Sequence, residues 1–415
     1  MKRFSFKILW LLIFLILIPV NTFYPQIIVD KNSQIKTIKE AINIANGGDT
    51  IIIKSGVYKE GNIIINKKLT LIADGNVVID GEGKSEVFTV NADSVNISGF
   101  TIINAGISYL QENAAIKLEE VKDCVIENNK LINNFFGIYL AKSERCVIRN
   151  NEIQSDGKAE TSSGNGIHLW YCKNINIEAN SISGHRDGIY LEFVENAVIR
   201  MNLSQNNLRY GLHFMFSDKC DYSNNIFRQN GAGVAVMYSK NVRMYENNFS
   251  DNWGTASYGL LLKDISDSNI ERNIFIGNTS GIYLEGCGKS IIQNNVFEKN
   301  GWAIKLMANS MDNRFTHNDF ISNSFDIATN SRQNFNIFEN NYYSKYQGYD
   351  LDKNGTGDVP YRPVKLFSII VEQQKPALVL LNSLFINLLD IAESVFPSLT
   401  PEALVDNTPS MRRIN

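Results

Sequence analysis

Glycine followed by apolar, any residue, apolar recurs at a nearly constant interval along the middle of this chain, and that period limits the folds open to it. The motif reads GIYL at Gly137, GIHL at Gly166, GIYL at Gly188, GLHF at Gly211, GVAV at Gly233, GLLL at Gly259 and GIYL at Gly281. AIKL then follows, with Ala303 in the glycine's place, and the intervals run 29, 22, 23, 22, 26, 22 and 22 residues. A second marker keeps step with the first: Asn129, Asn151, Asn180, Asn202, Asn225, Asn248, Asn273, Asn295 and Asn318. A unit this short cannot bury its apolar residues alone, so it must stack on copies of itself. The units hold short strands separated by Gly and Asn, the residues that adopt positive φ at low cost. Helical periodicity is absent, the leucine-dense consensus of leucine-rich repeats is missing, and propeller blades need about twice the length. The expectation is an all-β chain wound as a parallel β-helix.

A solenoid leaves ladder edges at both ends, which must be covered. Residues 26–90 supply an N-terminal cap and the first coils, with an amphipathic helix expected over Ile35 to Ala45. The repeats occupy 91–341, and 342–415 form an extension whose segment from Lys375 to Leu399 reads as one long apolar helix. Residues 1–25 have the layout of a secretory signal: Lys2, Arg3 and Lys7 precede the unbroken apolar run Ile8 to Val20, which is short for a membrane span. The chain is therefore expected to be exported. A formal net charge of -3 gives no basic footprint for nucleic acid. Five cysteines without C-x-x-C spacing do not make a disulfide framework at this size; Cys124, Cys146 and Cys220 share one register and read as a small-residue column in the core.

Side chains alternate along a strand, so the first and third residues after each glycine point inward and the second and fourth outward. The outward columns bring His168, Tyr190 and His213 into one line and Trp170, Glu192, Met215 and Met237 into another. Met215 and Met237 become stacked neighbours with His213 beside Met215. Thioether and imidazole together suit copper, Cu(I) above all, better than calcium or magnesium. His213, Met215 and Met237 are thus candidate copper ligands. The competing account of the same face is a docking strip, of which His168, Trp170, Phe216 and Tyr238 are the candidate residues. His185 and His317 fall in turns, where solvated polar roles are expected. The loop DLDKNGTGD spaces Asp350, Asp352, Asn354 and Asp358 like the opening of a calcium loop, with Gly355 at position 6. Tyr361 stands where an EF-hand has its bidentate Glu.

Many β-helices cleave or modify polysaccharides, chemistry that needs clustered carboxylates or a base beside a charge-neutralising ion. The outward columns hold isolated acids, Glu192 and Glu285, and Asp187 in the HRDG stretch has no second carboxylate in the matching turn of the next coil. That weighs against an enzyme. A carbohydrate-binding or polysaccharide-modifying β-helix remains the alternative.

The stretch RYGLHFMFSDKCDYSNNIFRQNGAGVAVMYSKNVRM, Arg209 to Met244, resembles the core of the NosD family, periplasmic accessory proteins of nitrous oxide reductase. GYDLDKNGTGDVPYRPVKLF, Gly348 to Phe367, is similar to that family's C-terminal signature. The resemblance runs from the N-terminal cap to the C-terminus. It implies a right-handed, pectin-lyase-like β-helix with a helical cap and tail and no enzymatic activity. It also implies a place in the periplasm, held at the membrane through an ABC transporter with NosF as ATPase and NosY as membrane subunit. The copper chaperone NosL would be the donor, nitrous oxide reductase the recipient, and Cu(I) the species held in passing. The segment from Lys375 to Leu399 would dock the transporter's periplasmic side. The individual copper ligands rest on the column pattern, not on the family.

Overall fold

The computed structural model describes residues 26–108, 112–331, 333–381, 383–396 and 404–414; the expected signal segment lies outside them. The chain winds as a parallel β-solenoid of about 14 turns. Its strands form a 25-stranded sheet of mostly three-residue strands and a 12-stranded front sheet. Each front strand pairs in parallel register with its counterpart one coil on, as Asp187–Glu192 does with Tyr210–Met215 and that strand with Ala232–Met237.

The recurring glycine begins each front strand because the coils meet closely there. A Cβ at Gly188 would stand 2.6 Å from the Gly211 carbonyl oxygen, and one at Gly211 would stand 2.6 Å from that of Gly233. The asparagine marker is a buried hydrogen-bond ladder. The Oδ1 of Asn225 accepts from the backbone N (2.9 Å) and Nδ2 (3.0 Å) of Asn202, and the Asn225 Nδ2 donates to the Ile199 carbonyl at 2.9 Å. This pattern saturates groups that would otherwise be buried unpaired. The ladder passes through Asn247, not the Asn248 that spacing suggests. The ladder residue lies two positions before a core residue, Leu131 after Asn129 and Phe249 after Asn247; a dipeptide of two asparagines hides that choice. A second ladder, unseen in the sequence, joins Asn207, Asn230, Asn252, Asn278, Asn300 and Asn323. Inside the coils, Phe249, Phe275, Phe297 and Phe320 stack at 4.6–5.2 Å.

Both ends are closed. Helix α1 (Ile38–Ile44) begins at a capping box of Thr37 and Glu40. The ammonium of Lys67 satisfies its free carbonyls at Ile42, Asn43 and Ala45 (2.8–3.1 Å). At the far end the first asparagine ladder stops on Asp406, which accepts from Asn341 N at 3.1 Å and Nδ2 at 2.9 Å. A carboxylate suits that place, because the last acceptor has no coil beyond it to donate to.

The apolar tail differs from the single long helix expected. It contains α2 (Leu366–Gln373), a 3-10 turn Lys375–Leu380 and α3 (Leu384–Val395). Pro376 near the start of the 3-10 turn cannot continue α2, and Ser383 caps α3 afresh. The helices pack on the outer face of the last front strands, not across the solenoid's end. Phe367 and Val371 join Phe325 and Trp302 there, and Glu372 pairs with Lys305 at 2.6 Å.

Candidate functional site

The strands Tyr210–Met215 and Ala232–Met237 set His213 opposite Ala235 and Met215 opposite Met237. Leu212, Phe214, Val234 and Val236 belong to the core, so alternation turns His213, Met215, Ala235 and Met237 to the outer face. Adjacent strands lie about 4.8 Å apart, which makes the two half-buried thioethers immediate neighbours.

His213 does not stand on an open ridge. It is 5% exposed, flanked by the rings of Tyr190 at 4.9 Å and Tyr210 at 4.7 Å. Its Nδ1 lies 3.5 Å from Oδ2 of Asp187, long for a hydrogen bond, and its Nε2 is buried without a hydrogen-bond partner. Burial pushes the imidazole's pKa down, against the opposing pull of Asp187, so the ring is neutral near pH 7. Asp187 is fully buried and receives the Arg209 guanidinium, Nε to Oδ1 at 2.9 Å. Burial alone would raise this carboxyl, but the bonds from Arg209, with the His213 imidazole close by, outweigh it and hold the pKa below the usual range. The sequence contains the signal for this cluster: Arg209 follows Asp187, and His213 follows Tyr190, by one coil period.

His168 takes its expected outward column, between the rings of Tyr139 at 4.8 Å and Tyr190 at 4.7 Å. Desolvation lowers its pKa to about 3. His185, expected to be solvated, is buried at 1% exposure, because its turn packs against the inner surface near Gly166; its pKa falls to about 4 through the same loss of water. His317 is exposed.

Directly after the front strands stands a feature only half visible in the sequence. Phe216 and Tyr238 belong to a continuous ladder with Tyr171 and Phe193, exposed by 49% (Tyr171), 37% (Phe193), 45% (Phe216) and 41% (Tyr238). Successive rings stack at 4.6, 5.2 and 5.0 Å, with interplanar angles of 19°, 8° and 14°. All four residues have φ of 50–54°. Bulky side chains avoid this region, and holding one there costs on the order of 1–3 kcal/mol. Other coils put Lys142, Asp264 or Gly286 at the same corner. Trp170 packs edge-on against Tyr171 at 4.9 Å, so Trp170, Phe216 and Tyr238 belong to one contiguous strip that runs past Met215 and Met237, while His168 stands in the neighbouring column. Alternation gave no reason to expect Tyr171 and Phe193 in the strip, because they sit at a corner and not on a strand.

All five cysteines are buried and free, in keeping with a core column. Asp350, Asp352, Asn354 and Asp358 do share one exposed loop. Asp350 accepts from the backbone N of Asn354 (3.1 Å) and Gly355 (2.8 Å), and Asp358 from Leu351 N at 2.7 Å. The loop's own N–H groups thus hold its shape. Among the described residues no group of three or more His, Cys, Asp or Glu is gathered for an ion. The soft donors paired on the front face are the thioethers of Met215 and Met237. His213, two residues before Met215 on the same outer face and with Nε2 unpartnered, adds an imidazole to the two thioethers, and donors of that chemistry fit Cu(I).

A family model described as periplasmic copper-binding protein (NosD) matches residues 149–348. A probable ABC transporter binding protein NosD of Pseudomonas aeruginosa is 29% identical over 387 residues, 89% of this chain and 89% of that protein. Its counterpart in Stutzerimonas stutzeri is 27% identical over 380 residues, 87% of this chain and 86% of that one. Among solved structures, the A-module of mannuronan C-5 epimerase AlgE6 from Azotobacter vinelandii is similar with a TM-score of 0.53. At 13% identity over 74% of this chain and 93% of that module, the likeness concerns the fold alone. The family model over the central coils and the two relatives aligned along most of its length make this chain similar to the NosD family and support its placement there.

Proposed function

We propose that this protein is a non-enzymatic periplasmic relay for Cu(I) in the assembly of the copper centres of nitrous oxide reductase. It would receive the ion from a copper chaperone of the NosL type and act together with an ABC transporter, NosY in the membrane and NosF as ATPase. The observation that carries this reading is the register of Met215 against Met237 on the outer face, with His213, whose ring nitrogens have no hydrogen-bond partner, two residues before Met215 on the same face. Half-buried thioethers suit a transient site, since an incoming ligand from a partner can reach the ion before the outgoing one leaves. The family's description as copper-binding and its relatives' naming as transporter-binding support the same reading.

The aromatic strip favours a protein partner over a sugar. Pyranose rings stack on free aromatic faces, whereas the rings from Tyr171 to Tyr238 cover one another's faces and present edges. A rigid edge ladder beside the thioethers would orient the chaperone and the reductase in turn. ATP-driven movement of the transporter must change which partner fits, because a surface that binds both equally in each state shifts nothing.

Helix α3 supplies the transporter contact in this account. It buries Ile386 but leaves Leu384, Phe385 and Leu388 exposed on one side, an apolar face of the kind that marks an interaction site. The exposed Asp390 on the same helix would be repelled by anionic lipid, which argues for protein. Phe385→Asp combined with Leu388→Asp is expected to abolish co-purification with the transporter while leaving the solenoid's melting temperature within a few degrees. Unchanged recovery would refute this assignment.

Reductase purified from cells lacking this protein is expected to be deficient in copper, and normal on re-expression. A fully metallated reductase from those cells would instead favour the carbohydrate-binding alternative.

A further inference from the structure

An imidazole that serves as a ligand must keep one lone pair free, and its other nitrogen decides which. On the front face the deciding group comes from the preceding coil. Asp187 pairs across the sheet with Tyr210, and its Oδ1 accepts from Arg209 Nε at 2.9 Å and from the Tyr210 backbone N at 3.3 Å. The same guanidinium donates its Nη2 to Oδ2 and lies over the Tyr210 ring at 4.9 Å. A two-pronged arginine contact fixes a carboxylate in plane as well as in place. The remaining direction on Oδ2 faces Nδ1 of His213 at 3.5 Å.

The imidazole has little freedom to evade this neighbour. Tyr190 and Tyr210 flank it at centroid distances below 5 Å, tilted by 50° and 55°. Of the two neutral tautomers, the one with its proton on Nε2 would turn the Nδ1 lone pair against a carboxylate. It would also bury an N–H on Nε2 with no acceptor, whereas Nδ1, likewise without a hydrogen bond, has the Asp187 carboxylate 3.5 Å away. The tautomer protonated on Nδ1 directs its N–H at Asp187 and leaves the Nε2 lone pair free. Metal-binding histidines commonly have a carboxylate on the far nitrogen for this purpose.

We infer that Asp187, clamped by Arg209, is a positioning residue that fixes His213 in the Nδ1–H tautomer and so offers Nε2 to Cu(I). The inference rests on the copper reading for the choice of ligand, while its tautomer half stands apart from any metal. Asp187 would touch no ion itself. Its effect passes through His213 and changes the state of the ring.

The test is nitrogen-detected NMR of the metal-free protein, with histidine labelled on both ring nitrogens and His213 assigned by its loss in His213→Gln. The expected spectrum shows a protonated Nδ1 and an unprotonated Nε2. In Asp187→Asn, Arg209 retains the amide oxygen and the amide nitrogen donates to Nδ1, so the proton is expected to move to Nε2. Competition against a chromophoric Cu(I) chelator should then show affinity reduced about 10- to 100-fold, the usual penalty for losing a ligand's supporting partner. An Nε2–H tautomer in the wild type, which needs no variant to observe, overturns the positioning role. An unchanged tautomer in a folded Asp187→Asn overturns it equally. A correct tautomer with unchanged Cu(I) affinity in His213→Gln instead removes His213 from the copper site, and the two failures are told apart by which measurement gives way.

Discussion

Replacing Asn247 with alanine is expected to lower the free energy of unfolding by about 2–4 kcal/mol, whereas the same change at Asn248 moves it by less than about 0.5 kcal/mol. The two residues are adjacent and identical, so intrinsic propensity cancels and position alone decides. Asn247 Oδ1 accepts from the backbone N of Asn225 at 3.1 Å and its Nδ2 at 3.0 Å. Its own Nδ2 donates to the carbonyls of Tyr222 at 3.0 Å and Tyr245 at 3.1 Å. Alanine would strand several of these groups away from water, and each unsatisfied buried group costs about 1–3 kcal/mol. The Asn248 side chain offers an oxygen with no partner to lose. In a solenoid each coil is held by its neighbours, so a break in the ladder also weakens coupling between the coils on either side. Urea denaturation of both variants checks this. Equal destabilisation, or the larger loss at Asn248, would contradict the register.

The second large effect concerns copper. Met215→Ala combined with Met237→Ala is expected to weaken Cu(I) binding by roughly 100-fold or more, since losing even an outer-shell partner costs about 10- to 100-fold. Stability should change little, because both side chains are half-buried on the outer face and stand apart from the buried core cluster. The single variants should fall between, as each leaves one thioether beside His213. Competition titration against a Cu(I) chelator, with unfolding curves as control, measures both quantities. Full affinity in the double variant would leave the strip as a docking surface only.

What could be read from the sequence followed from periodicity. The glycine motif set the phase of each front strand, and alternation along the strand then gave which residues face in and which face out. That placed Met215 against Met237 without a structure. Periodicity fails where the chain turns. The aromatic ladder occupies corners with positive φ, so alternation along strands has nothing to say about Tyr171 or Phe193. His185 was mistaken for a solvated turn residue because a corner can fold its side chain inward as readily as outward. The burial of His213 depends on rings contributed by Tyr190 and Tyr210, and column order does not reveal how far neighbouring side chains lean. The apolar tail showed helical content but not its break, although Pro376 carried that signal. The pairing of Asp187 with Arg209 was legible one period ahead as an anion followed by a cation, a signal that the absence of a second carboxylate does not reveal.

The central claim is that thioethers from adjacent coils and one imidazole share a single Cu(I). Copper K-edge X-ray absorption on protein loaded with one equivalent of Cu(I) tests it most directly. The account predicts a first shell containing sulfur and nitrogen, and loss of the sulfur scattering in the Met215→Ala/Met237→Ala variant. A shell of nitrogen and oxygen alone, or sulfur scattering that persists in the double variant, would contradict it.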